Sequence, residues 1–251
     1  MMTFSARRTT VSATATAVVV AVCLSVLSGC KSGSSGAGAP APASSASAPA
    51  SAAPVAGAFE PEQALAEAEK TPYAASLKGV TEAAGREMST MTGRSNLGTV
   101  FTGRSEIRST GLWMETVTTA DAAYVRNRAQ EGSGWAKAPR SPDNEANYAG
   151  YAKLLLAAGP SAKKGMENRG GVPTYHLAGH LDLDQVAAID PRTHRSMKAK
   201  GVTGFDIDQW IDSQGRTVRF EQRMELRGLQ AANKIDFSEF GPVETFAAPQ
   251  G

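Results

Sequence analysis

Cysteine is nearly missing from this chain: Cys23 and Cys30 are the only two, and both stand close to its start. No internal disulfide can brace a globular part downstream, so its stability must come from an ordinary core. Histidine is scarce too, with three copies. His176 and His180 are four apart on a segment that reads as a strand, which sets them about 13 Å apart, too far to chelate one ion. Asp206, Asp208 and Asp212 do not make a calcium loop, because Trp210 occupies a ligand position and the required glycine is missing. There is no glycine-flanked serine elbow, phosphate loop or dinucleotide fingerprint. Neither an enzyme nor a bound cofactor or metal is expected. A surplus of positive charge is also lacking, since 24 Lys and Arg face 24 Asp and Glu beyond residue 30. A neutral chain has no concentrated basic surface with which to displace counterions, so no nucleic-acid partner is expected.

Long apolar runs are limited to one, from Val11 to Leu27, preceded by Arg7 and Arg8 and followed by Ser28, Gly29 and Cys30. A positive start, an apolar middle and small residues before a cut predict a secretory signal peptide over residues 1–29. The alternative is an uncleaved membrane helix, since the run is nearly long enough to span a bilayer. The ending Leu27-Ser28-Gly29-Cys30 resembles the lipobox of bacterial lipoproteins. That resemblance implies cleavage before Cys30, a diacylglyceryl group on its sulfur, and attachment to the extracytoplasmic face of the cell membrane. Two acyl chains hold a protein where one does not. Thr9 and Thr10 follow the arginine pair where a folded-export signal prefers apolar residues, so the export route stays open.

Residues 31–58 carry one charge, Lys31, no aromatic residue, and little besides Ala, Ser, Gly and Pro. Such a segment cannot bury enough apolar surface to offset chain entropy. It reads, with Cys30, as a disordered tether whose ends lie on the order of 30 Å apart. Residues 59–251 follow without a second linker or an internal repeat, long enough for one domain that buries roughly 70% of its unfolded surface.

Within that domain, Pro61 to about Thr90 is rich in Ala, Glu and Lys, with Leu65, Ala68, Leu77, Val80, Ala84 and Met88 at helical intervals. The spacing predicts one helix or two, broken near Pro72. From Asn96 short alternating pieces predict antiparallel strands over Val100–Ile107, Leu112–Thr118, Ala123–Arg128 and around Trp135. Asn147–Ala158 returns to helix, with Tyr148, Tyr151, Ala152 and Leu155 on one face and Gly159-Pro160 ending it. In Thr174–Leu183 the apolar residues Tyr175, Leu177, Leu181 and Leu183 alternate with polar or small ones. Asp184 is expected to cap a short helix through Ile189, and Pro191–Ala199 to form another. Phe205, Ile207 and Ile211 alternate against aspartates, Gly215 serves a turn, and Val218, Phe220, Met224 and Leu226 belong to a hairpin strand continued by Ile235 and Phe237. One face of this sheet is apolar and the other wet. The fold class is therefore α+β, an antiparallel sheet with helices on its apolar face.

Three stretches carry a family look: Gly170-Gly171-Val172-Pro173-Thr174-Tyr175-His176-Leu177 with Gly179, then Asp208-Gln209-Trp210-Ile211-Asp212 with Gly215-Arg216, then Phe237-Ser238-Glu239-Phe240-Gly241-Pro242-Val243 with Pro249. Together they resemble the actinobacterial lipoproteins of the LppX and LprAFG type, relatives of the LolA fold. The match covers about residues 165–249 and fades before Asn147, and its motifs mark a fold more than a task. The resemblance implies a strongly curved, half-open antiparallel sheet closed by helices on its concave face, and an apolar cavity for a lipid or lipoglycan; a monomer is expected. Trp113, Tyr124, Tyr151, Leu155, Tyr175, Leu177, Phe220 and Met224 are the candidates for its lining. An aromatic stripe at helical spacing is also what plain core looks like.

One departure stands out: the stretch Thr99–Ile107 is poor in large apolar residues and is followed or interrupted by Arg104, Glu106 and Arg108. The polar middle strands motivate a second expectation, a solid-core extracytoplasmic scaffold that binds a partner protein or cell-wall component. The densest basic cluster, Arg192, His194, Arg195, Lys198 and Lys200, is either a solvated helix face or a contact for anionic head groups at about 1 kcal/mol per cation.

Overall fold

The computed structural model describes residues 57–98, 100–140 and 147–250. The expected signal peptide, Cys30 and nearly all of the expected tether lie outside the described residues. The chain begins with helix α1 (Pro61–Ala68) and then lays down β1 (Tyr73–Ala83), β2 (Arg86–Leu97), β3 (Thr102–Ser109), β4 (Leu112–Thr118), β5 (Ala122–Asn127) and β6 (Ala136–Pro139). Helix α2 (Tyr148–Ala157) and a 3-10 turn (Pro160–Ala162) lead to β7 (Lys163–Arg169) and β8 (Val172–Asp182). Two short helices, α3 (Leu183–Val186) and α4 (Pro191–Lys198), precede β9 (Gly204–Ile211), β10 (Thr217–Leu226) and β11 (Leu229–Gly241).

All eleven strands form one sheet in the order β6-β5-β4-β3-β2-β1-β11-β10-β9-β8-β7. Every neighbouring pair is antiparallel, and the outermost strands β6 and β7 are not paired with each other, so the sheet is open. The first six strands are consecutive hairpins. The last five fold back so that β11 pairs with β1 and joins the two halves.

Beyond Pro72 the stretch expected as helix is strand instead: Leu77 lies in β1 and Met88 in β2, and the two strands form a hairpin. Ala84 at φ 49° and Gly85 at φ 72° make the tight turn between them, the positive-φ pair that a two-residue hairpin needs. Helical spacing misleads here because Ala74 and Ala75 are both fully buried, which erases the alternation that marks a strand. Strand β7 has no counterpart among the sequence expectations. Its charged sequence, Lys163 to Arg169, carries no apolar alternation. The short helix α3 is preceded by Asp182, whose backbone N–H donates to Gln185 Oε1 at 2.8 Å, so the cap lies two residues before Asp184. The strands over 102–109 and 112–118, helix α2 and the C-terminal hairpin lie within two residues of where periodicity places them.

Period-two geometry gives the sheet two faces. One carries Leu177, Leu181, Phe205, Ile207, Ile211, Phe220, Met224, Ile235, Phe237 and Leu77, all buried in a single core cluster with Tyr148, Tyr151 and Leu155 of α2. Tyr148 meets Phe220 and Phe237 edge-on with ring centroids 5.3 and 4.9 Å apart, and Tyr151 meets Phe220 at 5.2 Å. Helix α2 therefore lies on the apolar face over the C-terminal half of the sheet. The outer face carries His176, Asp208, Trp210, Arg219, Glu221, Arg223 and Asp236, joined by ion pairs and stacking.

Candidate functional site

Two places in this architecture have the composition of a binding site, one on each face of the sheet. The first is the interface between α2 and the strands β8 to β11. Asn147 opens α2 by accepting a hydrogen bond from the Gly150 backbone N–H at 2.8 Å, which satisfies one of the orphan donors of the first turn. The helix then sets Tyr148, Tyr151 and Leu155 toward the sheet. Leu155 and Leu177 are fully buried, and Phe220 and Met224 nearly so.

Polar atoms are threaded through this apolar layer. Tyr151 Oη donates to Asp190 Oδ2 at 3.1 Å, and Asp190 Oδ1 accepts from the Thr193 backbone N–H at 2.9 Å, so one carboxylate caps α4 and ties it to α2. Burial, reinforced by the Asp190 charge and hydrogen bond, pushes the Tyr151 phenol well above its ordinary pKa. Burial, with Asp190 and Tyr73 nearby, raises Tyr148 as well. Tyr73 is pushed up to about 12, again mainly by burial. All three stay neutral donors at physiological pH. Gln209 Nε2 donates to the Tyr148 carbonyl at 3.0 Å and to Thr217 Oγ1 at 2.9 Å. In this layer Tyr148 Oη and Gln209 Oε1 are buried without a hydrogen-bond partner among the described residues, as is Trp113 Nε1 away from it, the condition under which a buried polar group costs most.

Of the eight candidate lining residues, Tyr151, Leu155, Leu177, Phe220 and Met224 come together in this one cluster, and Tyr175 packs against its rim beside Phe59. Trp113 and Tyr124 do not join them. Both project from the opposite face: Trp113 lies between the guanidinium groups of Arg108 and Arg128, 4.5 and 5.2 Å from its centroid, and Tyr124 lies under Lys137. The period of two within β4 and β5 puts them there, because each shares its parity with the charged residues Glu115 and Arg126.

The second place is a mainly apolar groove on the outer face of β2, β3 and β4, with a volume of about 380 Å³. Arg94, Arg104, Glu106, Glu115, Val117 and Trp135 surround it. No sequence pattern announces this groove, since it depends on which strand residues end up opposite each other.

No family model matches the chain. A protein of Streptomyces griseus described as an uncharacterized 31.2 kDa protein in the rplA-rplJ intergenic region is 31% identical over 111 residues, covering 38% of this chain. The matched stretch spans about a third, 35%, of that relative's length. Among solved structures, LprF from Mycobacterium bovis is similar with a TM-score of 0.49 at 13% identity, over 76% of this chain and 97% of that one. The Mycobacterium tuberculosis lipoprotein LppX gives 0.42 at 14% identity, over 73% and 98%. A LolA superfamily protein from Nitrosomonas europaea gives 0.27 at 10% identity, over 74% and 95%. The chain resembles the LppX and LprF lipoproteins, with a large open antiparallel sheet and a few helices.

Proposed function

We propose that this protein is an exported lipoprotein, anchored through lipidated Cys30 on the extracytoplasmic face of the cell membrane, that holds a lipid or other hydrophobic ligand between its sheet and its helices without chemistry. The signal-like residues 1–29 and the tether of residues 30–58 support the anchoring. A strong bend of the sheet, with α2 on its concave side, completes the reading. The observation that carries ligand binding is the helix-sheet interface itself. It is a continuous apolar layer in which Tyr148 Oη and Gln209 Oε1 are buried without protein partners, the setting in which a guest's polar group finds its counterpart.

A second reading, the solid-core scaffold, has the full burial of Leu155 and Leu177 in its favour. One experiment separates the two. Native mass spectrometry of gently purified protein is expected to show co-purified lipid, and Tyr151→Ala to reduce that lipid with a modest loss of stability. Consistently bare protein, with Tyr151→Ala costing the roughly 3–5 kcal/mol of an aromatic core truncation, would establish the scaffold instead.

A further inference from the structure

The outer-face groove contains an electrostatic arrangement that the folded chain leaves unfinished. Strand register sets Arg94 directly opposite Arg104, and Arg104 in turn opposite Val117. Like charges facing each other across a strand pair are destabilising unless something neutralises them. Arg94 is neutralised: its Nη2 lies 2.6 Å from Glu244 Oε1, and it also donates to Ser76 Oγ and the Glu239 carbonyl. The two carboxylates at the groove are likewise spoken for. Glu106 pairs with Arg108, and Glu115 with Arg126 and Arg128. Arg104 alone of these charges has no ion pair or hydrogen bond among the described residues, and it is exposed at the lip of the groove.

The rest of the groove is mainly apolar, with Thr92 beside it. Val117 flanks Arg104, and Trp135 forms a wall, fixed by Arg126, whose Cζ lies 4.6 Å from the ring centroid. Ser105 and Thr116 point their side chains to the other face and Gly93 has none, so the groove runs over their backbone. A volume of about 380 Å³ lies within the range of small-molecule sites. An unpaired guanidinium beside an apolar trough, with the neighbouring carboxylates already neutralised, selects an oxyanion attached to an apolar body.

We infer that this groove binds an anionic amphiphile, its carboxylate or phosphate on Arg104 and its apolar part against Val117 and Trp135. The site is on the sheet face opposite α2 and does not rest on the ligand proposed there.

The test is photo-crosslinking of the full-length protein with a diazirine-bearing decanoate, with labelled peptides mapped by mass spectrometry. A decanol carrying the same diazirine and an excess of inorganic phosphate serve as controls. The expected result is labelling at Val117 and Trp135 by the decanoate, about tenfold less by the alcohol, and no displacement by phosphate. Arg104→Ala is expected to lower the labelling by a similar factor while leaving the thermal midpoint unchanged, since this side chain holds nothing in the fold. Trp135→Ala should lower it as well. Labelling that the alcohol matches, or that survives Arg104→Ala, overturns the assignment of the anion to Arg104. Displacement by inorganic phosphate overturns the amphiphile in favour of a free anion. Labelling confined to Tyr151, Phe220 or Met224, or none anywhere, overturns the site, and the first of those results would still support the helix-side ligand.

Discussion

At the scale of single residues, the two tyrosines of α2 make opposite use of the same chemistry. Tyr151 spends its hydroxyl on Asp190, whereas the Tyr148 hydroxyl is buried with no partner. Removing an unpaired buried donor relieves a desolvation cost, but removing a paired one leaves its acceptor stranded. Tyr148→Phe is therefore expected to leave stability unchanged or raise it by about 1 kcal/mol, and Tyr151→Phe to lower it by roughly 1–2 kcal/mol. Urea midpoints measured with both variants check this pair, and equal losses would contradict the assignment. Helical periodicity placed both tyrosines on one face of a helix. The carboxylate that distinguishes them, Asp190, lies 39 positions further along the chain, and only tertiary packing brings it there.

At the scale of elements, the crossing of β2 and β3 explains why a stretch so poor in large side chains forms central strands. A Cβ at Gly93 would lie 2.6 Å from the Arg104 carbonyl oxygen and 2.9 Å from Ser105 Cβ, and one at Gly103 would lie 2.7 Å from the Arg94 carbonyl. Facing Cβ atoms across a strand pair ordinarily stand about 4.5–5.5 Å apart. Glycine is required because the strands pinch together on this face, as at a tight bend. Gly93→Ala should accordingly cost roughly 1–3 kcal/mol, against the usual gain of about 0.5–1 kcal/mol for alanine over glycine in a strand. Gly179→Ala is the control, because its methyl would meet Leu155 Cδ2 at 3.4 Å and Ala162 Cβ at 3.9 Å, ordinary contacts. Opposite signs of the two changes in thermal unfolding test the pinch. The scarcity of large residues in Thr99–Ile107 was legible in the sequence, but its cause was not. Glycine and serine in a strand pattern become informative only when register puts Gly93 against Ser105 and Gly103 against Ser95. The same limit applies to Arg94 and Arg104, which are ten residues apart in sequence and adjacent only through pairing.

At the scale of the whole molecule, an open sheet of eleven strands has two edges to protect, and both are blunted. Strand β6 is short and ends on Pro139. Strand β7 carries Lys163, Lys164, Glu167 and Arg169 and an irregularity before Gly165. Edges of that kind resist pairing with another copy. The C-terminal half of the sheet was legible because its large apolar residues, Leu177, Ile207, Phe220 and Ile235 among them, gather in one core on a single face, so alternation survives in the sequence. In the N-terminal half β3 and β4 were legible, but β1 and β2 were not, because small residues such as Ala74, Ala75, Gly79 and Gly93 carry no such contrast. The proposed anchoring is argued on the whole chain, since residues 30–58 would join a membrane-bound end to the folded domain. If Cys30 carries the lipid, Cys30→Ser should move the protein from the membrane pellet to the soluble or uncleaved fraction and abolish incorporation of labelled palmitate. The thermal midpoint of the domain should stay where it was, because Cys30 is remote in sequence from the core. Membrane retention without palmitate incorporation would point to the uncleaved helix of residues 11–27 as the anchor, and a shifted midpoint would mean that the tether contributes to the fold.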